Sequence, residues 1–199
     1  MINCRKPEDS FCVECLNDIF WEIEKSASFS MDHEVVGKCR KPHFYKKISN
    51  MDELIISETI KIRPATINDK RKVFEWLTNS NLTKEMMGLP YYPDAIIPTW
   101  EEFDNDYFDF YFDGSSPFKG RCFIILNEGK AVGQINYNAI DNIKKCTDLD
   151  IWLSDLKYTG RGIGTEAIIL LCGYLNERFD CEQIIMSPSK RNKDRKSVV

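Results

Sequence analysis

From Glu58 onward the apolar positions fall into clear periods. Thr59-Ile60-Lys61-Ile62-Arg63 alternates polar and apolar, the pattern of a strand buried on one face. Pro64 ends it. Val73, Phe74, Trp76 and Leu77 predict a helix that begins near Thr66–Asp69 and closes at Asn79–Asn81. Gly88, Pro90, Pro93 and Pro98 mark a long loop. Trp100 to Phe112 reads as a further helix, dense in aromatics and acids. Arg121 to Leu126 and Ala131 to Tyr137 predict two strands, joined by the turn Asn127-Glu128-Gly129-Lys130. Asp148 to Leu153 alternates again. A helix follows Thr165, with Ile168, Leu171, Cys172 and Leu175 on one face, and Cys181 to Met186 is a last strand before Pro188. The order is β-α-(α)-β-β-β-α-β. Hairpins precede a single βαβ crossover, so the class is α+β with a mixed sheet, not a repeated βαβ array.

The pattern before Glu58 is uneven, which divides the chain into an extension, residues 1–57, and a domain, residues 58–199. Ser10 can cap a helix to Glu24, with Cys12, Cys15, Leu16, Ile19, Phe20 and Ile23 at helical spacing. His33 to Tyr45, with Gly37 and Pro42, reads as irregular, and Met51 to Ile56 fits no single element. The extension is thus expected to be helical or irregular. Cys12-x-x-Cys15 and Cys39-x-x-x-His43 supply four N/S ligands for a tetrahedral zinc site. Cys12 and Cys15 also sit naturally on the apolar helix face, and the expectation is no metal.

Composition narrows the classes. The chain has 199 residues, 43% hydrophobic and 29% charged, which suits a globular domain with an attached element. A net charge of −4 disfavours a nucleic-acid binder. No apolar run approaches the ~20 residues of a membrane span. The polar start has no secretory apolar region, so the eight cysteines are expected to be reduced thiols in a cytoplasmic protein. With two histidines, both before residue 58, no Ser-His-Asp arrangement is readable.

Chemistry concentrates after Leu153. Gly160-Arg161-Gly162-Ile163-Gly164-Thr165 stands just before an apolar helix. Glycine lets backbone adopt positive φ and approach a ligand closely, and a helix N-terminus offers unpaired N–H groups to an anion. A phosphate or diphosphate is the natural guest, and a turn that only caps a helix is the alternative. A dinucleotide fold would need glycine where Thr165 stands, and a P-loop would need a lysine after Gly164; neither motif is met.

Tyr158 to Ala167 resembles the coenzyme-binding motif of the GNAT superfamily of acetyl-CoA-dependent N-acetyltransferases. The resemblance runs from residue 58 to 199 and includes Arg63-Pro64-Ala65-Thr66, the strand before the loop and Met186-Ser187-Pro188. It implies a mixed, mostly antiparallel sheet flanked by helices. It also implies acetyl-CoA as cosubstrate, its pyrophosphate cradled by Thr159, Gly160, Arg161, Gly162, Ile163, Gly164 and Thr165. Thr159 stands where the family often has Gln or Arg. Asn192 resembles an asparagine near the coenzyme's pantetheine arm. Backbone N–H groups of Ile151, Trp152 and Leu153 would polarise the thioester carbonyl. The family continues past the position of Val199 with a tyrosine and two strands. C-terminal strands are therefore expected to be missing, leaving a sheet edge open to a homodimer.

Asp148 and Asp150 lie two apart on a strand and share a face with Trp152. A protonated amine must lose a proton before it attacks a thioester, and a nearby carboxylate can accept it. A solvated polar strand face is the plain alternative. Asp148-Leu149-Asp150-Ile151-Trp152-Leu153 followed by Tyr158 resembles the aminoglycoside 6'-N-acetyltransferases, in which the aspartate matching Asp150 is proposed to handle the amine. That resemblance implies antibiotic resistance as the biological role. Acids and aromatics from Trp100 to Asp113 suit a cationic acceptor, with Trp100, Asp104 and Tyr107 as contacts, or an amphipathic helix with one core face. Lys190, Arg191, Lys193, Arg195 and Lys196 form a basic end that reads as solvated. The expected function is acetyl transfer to a primary amine of a small molecule, foremost an aminoglycoside. A polyamine, a protein N-terminus or a non-catalytic CoA-binding module are the alternatives.

Overall fold

The computed structural model describes residues 35–38, 55–57, 59–83 and 97–186. Its strands are β1 (Val35–Lys38), β2 (Ile55–Ile56), β3 (Ile60–Pro64), β4 (Arg121–Asn127), β5 (Lys130–Tyr137), β6 (Cys146–Leu153) and β7 (Gln183–Met186). Its helices are α1 (Ile67–Asn79), α2 (Trp100–Asp106), α3 (Phe110–Asp113) and α4 (Ile163–Phe179). The strands form one sheet in the order β1-β7-β6-β5-β4-β3-β2. Every neighbouring pair is antiparallel except β6 with β7, the two strands that flank α4. The α+β class, the hairpin order and the single crossover are as the periodicity implies.

Each face of the sheet has its own core. Phe123, Ile125, Ile135, Tyr137 and Leu149 pack against Ile163, Ala167, Leu170, Leu171 and Leu175 of α4. On the other face Cys122, Ile124 and Trp152 pack with Val73 and Phe74 of α1, Phe103 of α2 and Phe112 of α3. Strand alternation sends odd positions of β4 and β6 to α4 and even positions to the other helices. The β4–β5 turn places Glu128 at φ 50° and Gly129 at φ 76°. Positive φ at both central residues is the type I′ geometry that matches strand twist.

Three differences from the sequence reading have physical causes. First, the long helix over Trp100–Phe112 is broken at Tyr107–Asp109. Lys70 of α1 is buried, and its ammonium meets Asp104 at 2.6 Å and Asp109 at 2.9 Å. Residues five apart in one helix lie roughly 140° apart around its axis, so a straight helix could not deliver both carboxylates. The chain turns, and Tyr107 leaves the helix to stack on Phe103 with 4.6 Å between centroids. Second, Val35–Lys38 is a strand, not irregular, and pairs antiparallel with β7 from Val35↔Met186 to Lys38↔Gln183. Two β-branched valines suit that edge. Third, the outer edge of β7 is occupied by β1 of the same chain, a pairing that the uneven pattern before Glu58 does not announce. The Cys12, Cys15, Cys39 and His43 set, the proposed N-terminal helix, the Gly88–Pro93 part of the loop, Asn192 and the basic end lie outside the described residues. Among the described residues, no helix is long and apolar enough to cross a membrane, and Cys122, Cys146, Cys172 and Cys181 form no disulfide.

Candidate active site

The site is built on β6 and the turn that follows it. Asp148 and Asp150 are exposed, while Trp152 on the same face is buried. Across the ladder, Gln134 lies opposite Trp152 and Asn136 opposite Asp150. Both side chains are fully buried. This stretch of the face is therefore polar underneath: Gln134 Nε2, Asn136 Oδ1 and Trp152 Nε1 are buried with no hydrogen-bond partner among the described residues.

Two tyrosines stand over it. Tyr107 sets its ring edge-on to Trp152 at 6.0 Å, and the Tyr111 ring follows at 5.7 Å from Tyr107. Burial, and after it the Asp150 charge, push both phenols up, that of Tyr107 well above its ordinary range. Both remain neutral at physiological pH. The Asp150 carboxylate is held in turn. Asn138 Nδ2 donates to Asp150 Oδ2 at 3.2 Å, and Tyr111 Oη donates to Asn138 Oδ1 at 2.9 Å.

Strand geometry fixes where the β6 amides point. Ser154 N–H donates to Val132 O at 2.8 Å, and Asp148 O accepts from Asn138 N–H at 2.9 Å. Backbone groups alternate sides along a strand. Even-numbered residues therefore face β5, and the N–H groups of Ile151 and Leu153 face the β7 side, while that of Trp152 does not. Pairing with β7 runs only from Cys146 to Asp148. Among the described residues, β6 beyond that point has no strand on that side.

The turn after β6 is clamped by Asn81, just beyond the end of α1. Asn81 Oδ1 accepts from Leu156 N–H at 2.7 Å, and Asn81 Nδ2 donates to Asp155 Oδ1 at 3.2 Å. The hydroxyl of Thr159 donates to Leu156 O at 2.7 Å, so it closes this turn. Gly160 and Gly162 follow with φ of +66° and +78°, and a Cβ on either would meet nothing within 4 Å. Left-handed backbone facing open space is the form a ligand-approaching loop takes. Gly162 is also the N-cap of α4, so no capping side chain covers the first-turn N–H groups. Gly164 lies within that first turn, as does Thr165, and the Ile163 side chain is buried in the core. Arg161 is exposed. The loop thus fits a diphosphate through its backbone.

The remaining expected acceptor contacts divide. Tyr107 belongs to the Asp150 face. Trp100 packs on Phe74 and Phe103 with the Arg71 guanidinium 4.7 Å over its ring, and Asp104 is taken up by Lys70. Asn81, Tyr111, Asn136 and Asn138 were not singled out in the sequence. Nothing local marks them, because each acquires its role only from a partner far along the chain.

Residues 59–199 match the acetyltransferase (GNAT) domain family. No curated protein matches the chain significantly in sequence. Among solved structures, the fold is similar to the aminoglycoside acetyltransferase AAC(6')-Ib in complex with coenzyme A. That likeness has 17% identity and a TM-score of 0.53, over 70% of this chain and 80% of that one. It is similar to spermidine N-acetyltransferase from Vibrio cholerae in complex with CoA and spermine, with 15% identity, a TM-score of 0.51, and 65% and 71% covered. It is also similar to the ribosomal L7/L12 alpha-N-protein acetyltransferase RimL, with 18% identity, a TM-score of 0.51, and 71% and 74% covered. At these identities the likeness is one of fold. The family match spans most of the chain and takes in β6, the glycine turn and α4 together, and on that ground the chain belongs to the GNAT family of acetyl-CoA-dependent N-acetyltransferases.

Proposed function

We propose that the protein transfers the acetyl group of acetyl-CoA to a primary amine, with an aminoglycoside as acceptor. The observation that carries this reading is the placement of Asp150. It is an exposed carboxylate bordered by Tyr107 and Tyr111, on the strand that runs directly into the glycine turn. A carboxylate beside neutral aromatic rings suits a cationic amine. The similarity of Asp148–Leu153 and Tyr158 to the aminoglycoside 6'-N-acetyltransferases points to the acceptor.

Acetyl-CoA, when bound, supplies a thioester whose carbonyl carbon the amine attacks and whose thiolate leaves. The chain's own residues do the rest. The N–H groups of Gly160 to Thr165 would hold the diphosphate. Asp150 would orient the ammonium and take its proton, directly or through a water, with Asp148 adding negative charge on the same face. The N–H groups of Ile151 and Leu153, fixed in direction by the ladder, would meet the oxygen that gains charge as nitrogen attacks. Attack would be direct, since among the described residues the site holds no nucleophile set up for a covalent intermediate.

A polyamine is the second acceptor, favoured by the exposed carboxylates Glu101, Glu102 and Asp106 on α2. The test is thiol release from acetyl-CoA with kanamycin, spermidine and a short peptide. Release with kanamycin alone supports the first reading, and release with spermidine alone replaces the acceptor. Asp150→Asn should lower turnover about 100-fold, within the usual range for a lost general base, and leave acetyl-CoA affinity in place. Unchanged turnover would remove Asp150 from the mechanism.

A further inference from the structure

We propose that Asn138 is a positioning residue for Asp150, and that Tyr111 sets the orientation of Asn138. The proposal rests on the reading above, in which Asp150 handles the amine proton.

Asn138 is the first residue beyond β5, and its backbone is pinned to β6 from both sides. Its N–H donates to Asp148 O at 2.9 Å, and its carbonyl accepts from Thr147 Oγ1 at 2.9 Å. Its side chain can therefore turn but not drift. Two donors converge on Oδ1: the Tyr111 hydroxyl at 2.9 Å and Asn136 Nδ2 at 3.1 Å. An amide oxygen accepts and an amide nitrogen only donates. That pair of donors fixes which way round the Asn138 amide lies and sends Nδ2 to Asp150 Oδ2 at 3.2 Å. Asn136 is fully buried and opposite Asp150 in the ladder, so one of the two donors belongs to the rigid sheet. The other arrives from α3. Burial and the Asp150 charge keep the Tyr111 phenol protonated, so it remains a donor.

The consequence is a division of labour between the carboxylate oxygens. An exposed aspartate on a strand would otherwise sample several rotamers. Asn138 takes Oδ2, and among the described residues no hydrogen bond reaches Oδ1, which is left for the amine. A carboxylate held in one orientation accepts a proton along a defined line, and misplacement of such a group is costly to rate.

The experiment compares wild type, Asn138→Ala, Tyr111→Phe, Asp150→Asn and the Asn138→Ala/Asp150→Asn double variant. Acetyl-CoA is used with kanamycin and with spermidine, and kcat and KM are read separately. Asn138→Ala should lower kcat about 10-fold and Tyr111→Phe about 3-fold, with KM for acetyl-CoA within about 2-fold of wild type. The double variant should be no slower than Asp150→Asn, because Asn138 acts only through that carboxylate. Multiplying losses would overturn the proposal. If Asp150→Asn is slow and Asn138→Ala and Tyr111→Phe are not, positioning by Asn138 is wrong while the catalytic reading stands. If Asp150→Asn matches wild type, both fall. A crystal structure of the CoA complex of Tyr111→Phe supplies an arm that needs no acceptor and spares the strand end. Asp150 should there occupy more than one rotamer, and a single unchanged rotamer would overturn the proposal.

Discussion

Asp69 shows how one side chain ties a strand to a helix. Its carboxylate accepts from both terminal nitrogens of Arg63 at 2.8 Å, and from the N–H and hydroxyl of Thr66 at 2.8 and 2.9 Å. Burial opposes its ionisation. The Arg63 and Thr66 hydrogen bonds outweigh burial and hold it at about 2 against an ordinary 3.8. The folded state thus binds this proton less readily than the unfolded chain. Its stabilisation is complete above the ordinary value and fades as pH falls towards about 2. Asp69→Asn should cost about 2 kcal/mol at neutral pH. Urea unfolding at pH 7 and near pH 2 checks this: the gap between variant and wild type should shrink in acid, and a constant gap would refute it. Gly162 gives a second residue-level outcome. At φ +78° an alanine is strained by about 1 kcal/mol, which the fold tolerates, but its methyl would enter the open side of the turn. Gly162→Ala should weaken acetyl-CoA binding at least about 10-fold by calorimetry, with the melting temperature shifted only a few degrees.

At the scale of elements, Lys70 decides the geometry of the turn between α2 and α3. Its ammonium joins Asp104 near the end of α2 to Asp109 before α3, and its side chain is 7% exposed. Lys70→Met keeps the apolar stem and removes the charge. Both aspartate side chains are well exposed, at 49% and 70%, and can return to water. The loss should be about 2 kcal/mol, that of hydrogen bonds to a charged group, and not that of a stranded buried ion. Tyr107 sits inside the released turn, so KM for the amine should rise while KM for acetyl-CoA holds. Steady-state kinetics against each substrate separates the two. The same turn marks the limit of what the sequence showed. Elements set by local pattern, such as α1, the β4–β5 hairpin, β6 and α4, were legible because periodicity and turn residues are local properties. The break at Tyr107–Asp109 was not, because its cause lies on α1. The glycine turn was legible as a turn opening a helix for the first reason. The Tyr111–Asn138–Asp150 chain was hidden for the second, since an asparagine in a loop carries no sign of which distant side chains it will join.

For the whole molecule, the sheet beside β6 is completed from two distant parts of the chain. β7 is short, and one of its sides is spent on a parallel pairing of three residues with β6. Its other side pairs with β1, which comes from the N-terminal extension. The extension therefore supplies what the domain needs, a strand on an edge that would otherwise present unpaired N–H and C=O groups. Deleting residues 1–54 removes β1 and keeps Ile55–Ile56 on β3 at the far end of the sheet. Exposed strand edges seek strands, so the shortened protein should self-associate with rising concentration more strongly than the full chain. Light scattering across a concentration series reads this directly. The Asp150 face is built from β5, β6 and α3, none of which pairs with β1, so turnover per chain should persist in whatever fraction remains folded. Equal masses for the two proteins at every concentration would mean that β1 is not what keeps the β7 edge closed.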